Sequence, residues 1–160
     1  MKAGLCAALL ALLIAGCASP GGERELPAYR LITDAGESAQ PVAREVLRYL
    51  AAGDIEQAAR LSNAPQRRAE VLRDYRQSVG EAEFRRVFAE YAAHRVALEL
   101  AIGERRLLVW DLGKEVGAQY FVRAGERFVI DDVPSAERSE LRRLLMAYRA
   151  GRLKPSAGTD

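Results

Sequence analysis

Cysteine, histidine, tryptophan and lysine are scarce in this chain, and neither charge dominates. Its 160 residues hold two cysteines, one histidine (His94), one tryptophan (Trp110) and three lysines (Lys2, Lys114, Lys154). Cys6 lies inside an N-terminal apolar run, so a chain that loses this run keeps only Cys17 and has no internal disulfide. One cysteine and one distant histidine do not make a metal site, which needs several ligands. Basic residues number 24 and acidic residues 22, for a net charge of +2. That balance, without a basic stripe or interleaved aromatics, argues against nucleic acid as a partner. Few lysines beside many arginines and alanines read as a coding bias rather than a functional feature. No Gly-x-Ser-x-Gly occurs, and the glycines around Lys114 lack the spacing and the Ser/Thr of a phosphate loop. No apolar run approaches the roughly 20 residues of a membrane-spanning helix.

What is present begins at the N-terminus. Lys2 is followed by the apolar run Leu5 to Ala15, and Ala15-Gly16 supply small residues for a cleavage point. This is the pattern of an export signal. The four residues Ile14-Ala15-Gly16-Cys17, with the Ser19-Pro20-Gly21-Gly22 stretch after them, resemble the lipobox of bacterial lipoproteins. The resemblance implies that Cys17 is the lipidation site. Its thiol takes a diacylglyceryl group, residues 1–16 are removed, and the new amino terminus is acylated by a fatty acid such as palmitate. Ala18, rather than Asp, follows the cysteine; in a Gram-negative host that implies the outer membrane, facing the periplasm. An ordinary secretory signal with an incidental cysteine is the alternative.

Residues 17–39 read as the lipidated cysteine and a flexible tether, rich in Gly and Pro at first. "AYRLITDAGES" within it could make brief extended contacts with the domain. A single α+β domain is expected over 40–151 and a disordered tail over 152–160. Val42, Val46, Tyr49 and Leu50 share one face of a helix that starts at Pro41 and stops at Gly53. Asp54, with Gln57 three residues on, caps a short second helix. Val71, Leu72, Tyr75 and Val79 mark a third helix, and Phe84, Val87, Phe88 and Tyr91 a fourth. The period then changes from 3.6 to 2. Val96, Leu98, Leu100 and Ile102 alternate with Ala97, Glu99 and Ala101. Further strands follow at 107–112, 117–123 and 128–133, separated by Gly-containing turns, as in an antiparallel meander. One sheet face is expected to pack on the helices and the other to stay polar. Ser135 N-caps a last helix with the apolar stripe Leu141, Leu144, Leu145 and Tyr148. The expected fold is therefore α+β: N-terminal helices on a four-stranded antiparallel meander, then a C-terminal amphipathic helix.

The segment "VLRYLAAGDIEQAARLS", a helix with a Gly-Asp break and a short second helix, resembles the opening of the nuclear transport factor 2-like superfamily. The resemblance covers residues 41–133 and implies a cone, with helices closing the concave side of a bent sheet. The chain departs from that pattern by adding a helix after the last strand, and by a shorter sheet. A different helix-plus-sheet fold is the alternative.

Some cone-fold enzymes carry an Asp base and a Tyr donor in the pocket. Tyr75, Tyr91, Asp111 and Tyr120 are the candidates here, with Tyr49, Asp131 and Asp132 as further members of that set. The bland reading places Asp111 at a turn and Asp131-Asp132 at a strand end, where carboxylates cap and solvate. His94 reads as a boundary residue between helix and strand. Arg138, Arg142, Arg143, Arg149 and Arg152 lie off the apolar stripe of the last helix. They are candidate contacts for anionic lipid or an acidic partner, or else a solvated face. The reading is of a non-enzymatic envelope protein without metal or cofactor. It is held to the membrane through Cys17, and its partner is an envelope protein or a small apolar ligand. A small enzyme with an Asp/Tyr-lined pocket is the alternative.

Overall fold

Two prolines and two glycines punctuate the helical half of the chain. Pro41 and Pro65 stand in the first turns of α1 (Gln40–Ala51) and α3 (Pro65–Val79), where a missing N–H loses no helical hydrogen bond. Gly53 adopts φ 80° between α1 and α2 (Ile55–Ala59), and the Asp54 side chain accepts from the Gln57 N–H at 3.1 Å. Gly80, at φ 89°, closes α3 and opens α4 (Glu81–Ala93). Both φ values fall in the region that favours glycine. The structure, a computed structural model, describes residues 25–132 and 137–153. Cys17, the export signal and Ser135 lie outside the described residues.

The strands are β1 (Arg30–Leu31), β2 (Val96–Ile102), β3 (Arg105–Asp111), β4 (Val116–Ala124) and β5 (Arg127–Ile130). They form one sheet whose order follows the chain, with every neighbour antiparallel. The expected four-stranded meander thus gains a fifth strand. Arg30 and Leu31 pair with Ala101 and Leu100, so the segment assigned to the tether is part of the sheet. A two-residue strand has too short a pattern to announce itself by alternation.

The expected polar face is absent as well. Leu108, Trp110, Phe121 and Ile130 pack against Val46, Leu50, Leu72, Phe84, Phe88 and Tyr91 of the helices. On the opposite face Leu100, Ile102, Leu107, Val109, Ala118 and Tyr120 are also buried. They lie under Leu141, Leu144, Leu145 and Tyr148 of α5 (Glu137–Arg149) and under Leu26, Tyr29 and Leu31. Leu153 joins the same cluster, so the ordered contacts run past the expected start of the tail. The architecture is helices, sheet, then a helix with an extended segment. The reason is in β3, where Leu107-Leu108-Val109-Trp110 is apolar at both parities, as in a strand covered on both sides. In β2 a register shift between Val96 and Leu98 sends Val96 to the helical side, while Leu98, Leu100 and Ile102 face α5.

Gly117 of β4 marks a close approach between sheet and helices. A Cβ there would stand 2.7 Å from Cε1 and the hydroxyl of Tyr91. Tyr91 is itself fully buried and edge-on to Trp110, with ring centroids 6.4 Å apart. Gly117→Ala is expected to cost about 2 kcal/mol by overpacking, read as a lower urea midpoint with an unchanged m-value. An unchanged midpoint would show that the Tyr91 ring can move aside freely.

Candidate functional site

Two groups of buried polar side chains stand out, and neither contains the tyrosines. The first lies at the edge of the space between helices and sheet. Arg68 follows the period of the apolar face of α3, one turn before Leu72, and is only 9% exposed. Its guanidinium forms a fork on the carboxylate of Asp132: Nε donates to Oδ2 at 2.7 Å and Nη2 to Oδ1. Nη2 also donates to Gln119 Oε1 at 3.1 Å, and Gln119 Nε2 donates to the Tyr120 carbonyl at 2.9 Å. The Ser62 hydroxyl donates to Asp132 Oδ2 at 2.5 Å. Asn63 completes the clasp. Its Nδ2 donates to Asp131 Oδ1 at 2.8 Å, and its Oδ1 accepts from the Asp132 N–H at 2.8 Å. The Asp131-Asp132 pair therefore ties the end of β5 to the loop between α2 and α3.

Behind this clasp is a cavity of about 20 Å³ walled by Leu47, Leu72, Phe88, Trp110 and Phe121, with Arg68 and Gln119 on its polar side. A space of that size holds about one water molecule.

The second group is at the start of α1. Glu99 of β2 is only 3% exposed. Its carboxylate accepts from the Ser38 hydroxyl at 2.6 Å, the Ala39 N–H at 2.7 Å and Gln40 Nε2 at 3.2 Å. Ala39 supplies no side-chain cap, so a carboxylate from another element caps the helix in its place. Glu99 also floors a polar surface cleft of about 200 Å³ lined by Thr33, Asp34, Ser38, Gln40 and Arg44.

The fold scatters the aromatic and acidic candidates. Tyr75 and Tyr91 are buried among the helices; Tyr75 packs against Phe84 and Phe88, and the Tyr91 hydroxyl donates to Glu115 Oε1 at 3.4 Å. Tyr120 faces the other way and donates to Glu140 Oε1 of α5 at 2.7 Å. Asp111 is exposed, accepting from the Gly113 N–H at 2.9 Å and from the Tyr148 hydroxyl at 3.0 Å. Burial, then the Asp111 carboxylate it donates to, push the Tyr148 phenol above its ordinary value. Tyr49 is half-buried, its hydroxyl 3.5 Å from Glu45 Oε1. His94 is exposed at the helix–strand boundary, with Nδ1 2.8 Å from the Glu90 carbonyl. No three His, Cys, Asp or Glu side chains among the described residues are grouped to hold a metal.

On α5, Arg138, Arg142 and Arg149 are exposed and Arg143 is half-buried; Arg152 is exposed just beyond the helix. Sequence reasoning missed Arg68, Gln119 and Glu99. For Arg68 a signal existed: a charge at a position where the helical period of α3 calls for an apolar side chain. Comparison of the chain with protein-family models, curated proteins and solved structures finds no match.

Proposed function

We propose that this chain is a lipid-anchored protein of the bacterial cell envelope, and that its α+β domain is a non-enzymatic binding or accessory module. The anchoring half rests on the lipobox-like Ile14-Ala15-Gly16-Cys17 behind an apolar run. Each methylene buried in a bilayer contributes about 0.8 kcal/mol, so two or three acyl chains on Cys17 hold the protein on the membrane.

One observation carries the non-enzymatic half: the space between helices and sheet is filled. The cavity there is about 20 Å³, whereas pockets for small molecules run to about 300–1,000 Å³. Tyr75 and Tyr91 on one sheet face, and Tyr120 and Asp111 towards the other, do not converge on a shared void. The polar cleft over Glu99, at about 200 Å³, favours a second reading in which a small polar molecule is bound there.

Two measurements on protein extracted from its own membrane test the proposal. The N-terminal peptide is expected to begin at Cys17 with the mass of a diacylglyceryl group and a fatty acid. Native mass spectrometry is expected to show the domain without a retained small molecule. Soluble protein with an unmodified Cys17 would sink the anchor. A small molecule retained at unit stoichiometry would overturn the first reading of the domain, and its polarity would show whether the Glu99 cleft holds it.

A further inference from the structure

We infer that the outer face of α5 is a docking surface for the anionic phospholipid headgroups of the bilayer in which Cys17 is anchored. The inference rests on that anchoring reading and goes beyond it, because it assigns the domain an orientation and a lipid preference.

The outer face of α5 is cationic. Arg138, Arg142 and Arg149 follow the helical period on the side away from the sheet. Among the described residues none of the three makes an ion pair or a side-chain hydrogen bond. The acid within the body of the helix, Glu140, is turned inward. It accepts from Tyr120 at 2.7 Å and from Arg105 Nη2 at 3.2 Å, with its side chain 17% exposed. Glu137 stands at the first residue of the helix. Amid the arginines sits Met146, 60% exposed and the one exposed large hydrophobic side chain among the described residues. Arginines around a protruding apolar side chain suit a headgroup layer, where guanidinium pairs with phosphate and the thioether reaches the acyl boundary.

The chain's own course brings this face to a membrane. Leu26, Tyr29 and Leu31 lie in the apolar cluster that also holds Leu141, Leu145 and Tyr148, so the N-terminal segment and α5 cover the same sheet face. Eight residues on from Cys17 comes Glu25, where the described chain begins. Fully extended, that stretch spans about 28 Å, close to the diameter of a small domain. An anchor of that length keeps the domain beside the bilayer, and the N-terminal segment enters the domain on the sheet face that α5 covers. The helices α1 to α4 lie on the opposite side of the sheet. Basic groups are attracted to an anionic surface within about a Debye length, roughly 8 Å at physiological salt.

The sequence supplies a probe. Met1 and Met146 are the two methionines, and trypsin releases Met146 alone in the peptide Leu144–Arg149. The full chain is made with photo-methionine and reconstituted in vesicles of phosphatidylglycerol with phosphatidylcholine, or of phosphatidylcholine alone. It is then irradiated and digested. The expected result is a lipid adduct on the Leu144–Arg149 peptide in the anionic vesicles. Its yield is expected to drop at least about tenfold in phosphatidylcholine alone, and as far in the variant R138Q/R142Q/R149Q, where the peptide that carries Met146 ends at Arg152 instead. No adduct, an adduct of equal yield in all three samples, or an adduct to protein instead of lipid overturns the inference. The N-terminal peptide of the same digest reports the acyl mass on Cys17. An acylated Cys17 without the adduct leaves the anchor standing and removes the docking surface. The adduct with an unmodified Cys17 does the reverse.

Discussion

Arg68→Ala is expected to lose about 3 kcal/mol of stability, or roughly 10 °C in Tm for a domain of this size. Thermal and urea unfolding followed by fluorescence give the measurement, since Trp110 is the single tryptophan and is buried. The cost does not come from the strength of an isolated ion pair. The Arg68 and Asp132 side chains are 10% and 17% exposed, so both ions have largely left water. Taking away the cation leaves the Asp132 carboxylate with Ser62 Oγ as its remaining side-chain donor, and removes the donor to Gln119 Oε1. A buried carboxylate and a buried amide oxygen are then short of partners, and that shortage sets the penalty. Replacing both ions, as in Arg68→Met with Asp132→Leu, is expected to recover more than half of the loss. The pair lies across the sheet's last strand from α3, so the coupling also reports on docking of β5. The same variants separate two roles for Arg68. A side chain that holds β5 in place lowers Tm and leaves binding of the natural partner unchanged once folded. A side chain that serves a ligand in the cavity lowers affinity at little cost in Tm. A loss below about 1 kcal/mol would remove the structural role and return the cavity to candidacy as a ligand site.

Sequence reading and structure part at identifiable places. Helices α1, α3 and α4 are legible because each carries a run of apolar residues at helical spacing, and Gly53 and Gly80 end the runs where the chain turns. The order of the four longer strands is legible for the same reason, since short turns between alternating segments leave little choice but a meander. The side of the sheet that α5 covers is not legible in the helix itself. The stripe of Leu141, Leu144, Leu145 and Tyr148 says that one face of the helix is buried, and nothing about against what. The run Leu107–Trp110 carried that information, because a strand apolar at both parities needs two covers. Tyr75, Tyr91, Asp111 and Tyr120 are residue types that suit a pocket, yet pocket membership depends on which sheet face each occupies. Tyr91 and Tyr120 come from different elements and end on opposite faces. The proposed anchor is the reverse case: Cys17 is read from its neighbours in the chain, and it lies outside the described residues.

Glu99→Ala is expected to cost about 3 kcal/mol, and Glu99→Gln about 1 kcal/mol, by the same unfolding measurements. Strand alternation makes Glu99 look like an ordinary solvent-facing position between Leu98 and Leu100. The structure instead buries it over the N-terminus of α1, where it takes the place of a capping side chain that Ala39 lacks. Alanine removes the acceptor of three donors at once. One of them, the Ala39 N–H, belongs to a residue only 1% exposed, so water cannot readily replace the carboxylate. Glutamine keeps an oxygen for that N–H. It loses the negative charge at the positive end of the helix, and its amide nitrogen faces two donors, the Ser38 hydroxyl and Gln40 Nε2, where a carboxylate oxygen accepted. The order Ala worse than Gln therefore separates lost hydrogen bonding from lost charge. Hydrogen exchange locates the damage: the amides of Ala39, Gln40, Val42 and Ala43 at the start of α1 are expected to exchange faster in Glu99→Ala, while β3 amides keep their protection in native-state exchange. Equal losses for the two variants would mean that charge is what Glu99 contributes. Unchanged exchange at Ala39 would mean that the helix start is held by its packing on the sheet rather than by the carboxylate beneath it.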